Sequence, residues 1–195
     1  MLAIGVFIFV VVASVASVGS MIWADRRKLR KLHALPRTKI SELVGGNRVR
    51  VIGIARKVAD DVGATYSGTL CLAYKSWVSS SGDGQTPDDV VRIVPFRVED
   101  ETGSIEIVVD HATLRLAGHI IDLAKTKAVF GAGMLARESS SLAGGRVTFW
   151  EDRLEPDARV AVIGTVVSGD DGTPRLAGRA QEPLVIANVE EAFLD

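Results

Sequence analysis

The chain has 195 residues and a formal net charge of −1 at pH 7. Its one cysteine, Cys71, excludes an internal disulfide. Residues 24–40 carry seven basic side chains against Asp25, a balance of +6, so residues 41–195 hold −7, and an acidic domain argues against phosphate binding as its main task.

Leu2 to Trp23 contains no charged side chain. As a helix it would run roughly 33 Å, enough to cross a hydrocarbon core of about 30 Å, and a backbone inside lipid must satisfy its own hydrogen bonds. Residues 1–23 are therefore predicted to form one transmembrane helix. A cleaved signal peptide wants a basic start and a shorter apolar core, and neither is present, although Ser14-Val15-Ala16 fits a cleavage site. Ala13, Ala16, Ser17 and Ser20 place small residues at helix-pairing spacing, a route to a homo-oligomer.

Residues 24–40 form a basic juxtamembrane segment. Arg26, Arg27, Lys28, Arg30 and Lys31 crowd the exit of the span, where they are expected to contact lipid headgroups. The positive-inside rule then places the rest of the chain in the cytoplasm, on a single-pass protein of the cell membrane. Pro36 ends any helical continuation.

Residues 41–195 read as one β domain. Arg48–Ala55 alternates basic and branched apolar residues, the pattern of a half-buried strand. Thr69–Val78, Val90–Glu99 and Ser104–Val109 are further strands, with Ser79–Asp89 a polar loop. Asp100-Glu101-Thr102-Gly103 has hairpin-turn chemistry, with Gly103 free to take positive φ. Residues 111–136 fit a helix or short strands, and Gly118 favours strands with irregular structure. After a loop at Arg137–Gly145 come strands at Arg146–Glu151, Arg159–Val167 and Arg175–Arg179, then Pro183–Ala187 and a short amphipathic end, Val189–Leu194.

One pattern occurs twice. Leu43–Gly53 and Leu154–Gly164 both read L-x4-R-V-x-V-I-G. Its physical content is a turn and a strand whose glycine permits a bulge, the way OB-type barrels begin. Two copies suggest two OB-like halves, or one barrel whose first motif recurs late. The fold class expected is mainly β: an OB-like β-barrel or sandwich preceded by one membrane helix.

The order of pieces resembles a known family. L-x-x-G-x-x-V-x-V-x-G at Leu43–Gly53 is followed by Cys71-x-x-Tyr74, PFRVEDETGSIEIVV at Pro95–Val109, WEDRLEPDARVAVIG at Trp150–Gly164 and PLVIAN at Pro183–Asn188. This is similar to the GIDE-type, or beside-a-membrane, domain of membrane-anchored RING ubiquitin ligases and their prokaryotic relatives, across roughly residues 40–194. Pro95-Phe96, Asp100-x-x-Gly103 and Glu151-x-x-Leu154-x-Pro156 carry the resemblance best. In the eukaryotic ligases, the resemblance implies, transfer depends on a carboxyl-terminal RING beyond a second span. A RING needs about eight Cys and His ligands, and here Cys71, His33, His111 and His119 are the entire supply. These residues cannot transfer ubiquitin by the RING route. The resemblance also implies a domain facing away from the cytosol, against the basic collar.

No catalytic constellation is legible. Asp110 and His111 are adjacent, so on a strand they would point apart, and no Gly-x-Ser-x-Gly elbow is present. Glu99, Asp100 and Glu101 lack the alternating spacing of a calcium loop. No cofactor and no metal are expected. Trp77, Phe96 and Trp150 are the candidate partner-binding residues, though aromatics more often fill cores. The expected role is a membrane-anchored scaffold presenting its β domain to a protein partner. The alternatives are a ubiquitin-transferase component working with a separate RING partner, and an OB-type nucleic-acid or oligosaccharide binder, with nucleic acid disfavoured by the acidic balance.

Overall fold

The computed structural model describes residues 35–80, 89–121 and 147–188. The predicted membrane helix, the expected headgroup contacts Arg26, Arg27, Lys28, Arg30 and Lys31, most of the Ser79–Asp89 loop, residues 122–146 and the expected amphipathic end lie outside them. Among the described residues no helix is long and apolar enough to cross a membrane. The described residues from Arg37 onward form one compact unit.

Five strands close a barrel: β1 (Arg48–Lys57), β6 (Phe96–Asp100), β7 (Gly103–Val108), β11 (Arg159–Ser168) and β12 (Pro174–Ala177). Around it they run β1-β6-β7-β12-β11 and back to β1, all antiparallel except β12 beside β7. Renumbered within the barrel, strand four neighbours strand one, followed by two and three. That is the Greek-key order of OB-type barrels. The core is apolar and alternates as barrel strands must: Val49 and Val51, Phe96 and Val98, Ile105 and Ile107, Val160 and Val162 are all buried in it.

The two copies of the repeated motif are β1 and β11, and they pair with each other, Val51 opposite Val162. One barrel therefore uses the motif as its first and fourth strands. Each glycine sits where its strand changes neighbour. β1 pairs with β11 from Arg48 to Ile54 and takes up β6 at Ile54. The other edge of β11 pairs with β13 (Leu184–Ala187) over Ala161–Ile163 and with β12 from Thr165. A Cβ on Gly53 would stand 2.3 Å from the Glu99 carbonyl oxygen, and one on Gly164 2.6 Å from Leu184 Cδ1. The expectation of a half-buried β1 is corrected: Arg50 and Ile52 on its outward side are buried as well, 2% and 3% exposed.

A second sheet grows from the two long barrel connections. Its order is β5 (Val90–Ile93), β4 (Ala73–Ser80), β10 (Val147–Leu154), β9 (Gly118–Ile120), all antiparallel. The short β2 (Val62–Gly63) and β3 (Leu70–Cys71) pair beside it, and β8 (Ala112–Arg115) adds to β13. The run expected as one strand, Val90–Glu99, is thus two strands in two sheets. Pro95, which has no N–H to give a ladder, lies at the crossing between them.

The hairpin of β6 and β7 turns on Asp100. Its Oδ1 accepts from the Thr102 amide (2.7 Å), the Thr102 hydroxyl (2.7 Å) and the Gly103 amide (3.1 Å). Its Oδ2 accepts from the Ile40 amide (3.0 Å), tying the incoming chain to the hairpin. Gly103 does not adopt positive φ, contrary to expectation, because the carboxylate shapes the turn. Burial would raise the Asp100 carboxyl, but the Thr102 hydroxyl and the three amides outweigh it and hold it below its ordinary value.

Two outcomes are expected. Gly53→Ala should destabilise the domain by about 1–3 kcal/mol in urea unfolding, whereas Gly45→Ala, with nothing within 4 Å of its added Cβ, should cost nothing. A carboxyl lowered in the folded state stabilises above the unfolded value of about 3.9 and loses that contribution as pH falls through the folded one. Asp100→Asn should therefore lower the urea midpoint at neutral pH, with the difference from wild type shrinking as the solution is acidified.

Candidate functional site

Strand alternation sorts the second sheet into two faces. On β10, Phe149, Glu151 and Arg153 share one face and Trp150, Asp152 and Leu154 the other. Their register partners on β4 are Val78, Ser76 and Tyr74 on the first face, and Trp77, Lys75 and Ala73 on the second.

The first face is closed. Tyr66, from the turn between β2 and β3, meets Phe149 edge to face with ring centroids 4.9 Å apart. Glu151 beneath it is fully buried. Its carboxylate accepts from the amides of Tyr66 (2.5 Å) and Ser67 (3.2 Å) and from the Ser76 hydroxyl (3.3 Å), with Arg153 Nη1 at 3.6 Å. Arg153 also donates to the Ser67 hydroxyl at 3.0 Å. A buried charge persists only with this kind of pairing, so Glu151 pins the β2–β3 turn to the sheet.

The second face begins inside the barrel core, where Ala73 and Leu154 are packed. Four residues further along, Trp77 and Trp150 stand opposite each other, half-buried, their rings stacked at 5.8 Å and 3°. Ile120 continues the row on β9, 66% exposed, and Val91 lies in the neighbouring row, 47% exposed. Lys75 Nζ lies 5.4 Å from the Trp77 ring centroid and 2.6 Å from Asp89 Oδ2. Asp152, opposite Lys75, fits beside Gly118, where a Cβ would come within 2.8 Å of its Oδ1. Partial burial pushes the Asp152 carboxyl up, against the opposing charges of Lys75 and His119.

The structure thus brings Trp77 and Trp150 together. It removes Phe96, which is fully buried in the barrel core and cannot meet a partner, because the strand that carries it alternates inward there. Asp152 and Ile120 join the face without having been singled out from sequence. For Asp152 the signal was the alternation of Trp150-Glu151-Asp152, which puts the aromatic and the second acid on one side.

Over β1, charged side chains pair with one another. A cleft of about 370 Å³ over β1 is lined by Ile52 and Ile54, three arginines and Glu99, Asp100 and Glu101. Arg37 holds Glu101 at 3.0 Å, and Arg56 holds Glu99 at 2.7 Å and also Asp157. Cys71 is buried, and its thiol is pushed up to about 11, first by burial and then by the charge of Glu151, which makes it inert. His111 sits in a turn with φ 53°. Among the described residues no three acid, cysteine or histidine side chains gather to hold a metal.

Barrel order and added sheet define a β-barrel module whose one aromatic face, among the described residues, stands outside the core. The family model GIDE, described as an E3 ubiquitin ligase, matches residues 78–194, and the chain belongs to that family. No curated protein and no solved structure matches it. The match contains the three motifs that best carried the resemblance, and each is structural: Pro95-Phe96 moves the chain into the barrel, Asp100-x-x-Gly103 shapes a hairpin, and Glu151 pins the β2–β3 turn to the second sheet while Leu154 roots that sheet in the barrel core.

Replacing Glu151 by Gln leaves one acceptor for three donors and removes the charge facing Arg153. The expected cost is about 1.5–3 kcal/mol in denaturant unfolding, with early loss of amide protection at Tyr66 and Ser67 in hydrogen exchange.

Proposed function

We propose that the chain is a single-pass membrane-anchored binding module that presents its barrel to a protein partner close to the bilayer. The observation that carries this reading is the half-buried Trp77–Trp150 stack on a sheet face that also presents the exposed Ile120 and Val91 and, opposite each other, the charged Lys75 and Asp152. Aromatic pairs of this kind are the anchors on which interface energy concentrates. The apolar run Leu2–Trp23 would supply the anchor, and Arg26, Arg27, Lys28, Arg30 and Lys31 would rest on lipid headgroups on the cytoplasmic side. Membership of a ubiquitin-ligase family supports a second reading, in which the module docks a separate RING protein or its substrate.

Nucleic-acid binding has less support. OB-type barrels offer the outer face of their second and third strands to bases. Here those strands are β6 and β7, which turn Arg97, Glu99, Ser104 and Glu106 outward, with no aromatic ring among them.

A photo-crosslinker placed at Ile120 of the full chain in native membranes should capture a discrete protein, and Trp150→Ala or Trp77→Ala should cut that capture about tenfold or more. Capture indifferent to both tryptophans would overturn the assignment of this face. Protease added to sealed membranes from the cytoplasmic side should digest the barrel. Full protection there would reverse the orientation.

A further inference from the structure

We infer that the Trp77–Trp150 face takes a positively charged side chain, an arginine or lysine of the protein partner, laid on the indoles beside Asp152. This rests on the reading of that face as the partner surface.

Three observations carry it. The face already holds a cation: Lys75 lies over the Trp77 ring, and Asp89 fixes its ammonium group. Tryptophan attracts cations to its ring face more strongly than the other aromatics do. Next, Asp152 has no hydrogen-bond or ion-pair partner among the described residues. Lys75 stands opposite it in register, but its ammonium group is taken by Asp89. Asp152 therefore sits partly desolvated and one row from Trp150, placed to meet a cation that none of the described residues brings into hydrogen-bond or ion-pair contact with it. Finally, residues 41–195 carry −7, which steers a basic segment towards the domain and repels an acidic one. Guanidinium suits the place better than ammonium, because it stacks on an indole while donating to a carboxylate.

A library of displayed random peptides panned on the full chain in nanodiscs, with counter-selection on the Trp150→Ala chain, tests the inference. Peptides surviving both steps should share an arginine or lysine. Replacing that arginine by citrulline should weaken binding about tenfold, and so should Asp152→Asn, which leaves both indoles in place. Indole resonances of Trp77 and Trp150 should shift on titration with the arginine peptide. Survivors without a basic residue, or affinity unchanged by citrulline and by Asp152→Asn, would overturn the cationic assignment and leave the binding face standing. No survivor dependent on Trp150 would remove both.

Discussion

Everything in the domain hangs on the pairing of β1 with β11. It joins residues more than a hundred positions apart and turns an open sheet into a barrel. Closure leaves no free edge on the barrel strands and seals a core of valine, isoleucine and leucine. Because the two strands share a motif, Val51 meets Val162 near the middle of the pairing and the glycines fall towards its ends. At those ends each strand is handed from one neighbour to another, and a side chain there would strike a neighbouring strand. The repeated glycine is thus a consequence of steric crowding at a change of partner.

With the barrel closed, its long connections become available for a second task. The segment between the first and second barrel strands and the one between the third and fourth together make the four-stranded sheet. That sheet is rooted in the barrel through Leu72, Ala73 and Leu154. It is locked beneath by Glu151, whose carboxylate meets two backbone amides and a hydroxyl, and at its edge by Asn188, which accepts from the Ala117 amide at 2.6 Å and donates to the Arg153 carbonyl at 2.9 Å. Rigidity on one face lets the opposite face hold two large rings in a fixed stack. A preorganised aromatic surface loses little entropy when it binds, which is what the proposed partner surface requires.

Strand existence was largely legible, since alternating β-branched runs bounded by Gly, Asp and Pro have few other solutions. Boundaries failed where local pattern was silent about sheets. Val90–Glu99 has strand-forming residues on both sides of Pro95, and its two different neighbours, β4 and β1, divide it there. Arg50 looked like a solvent residue because alternation alone assigns basic side chains outward, yet its outward side is covered. Phe96 and Trp77 were equally plausible surface aromatics from composition. Phe96 went inside because it faces Ile107 across the hairpin within the core.

By itself the sequence determined the mainly β class, the recurrence of one strand motif, the shortage of zinc ligands and the family resemblance, because these depend on residue type and spacing along the chain. Only the tertiary structure decided that the two motif copies pair into one barrel, that Glu151 is a buried anchor while its neighbour Asp152 has no hydrogen-bond or ion-pair partner among the described residues, and that Trp77 and Trp150 stack. Those facts depend on register between strands more than seventy residues apart, and register is set by core packing and turn geometry that no local stretch encodes.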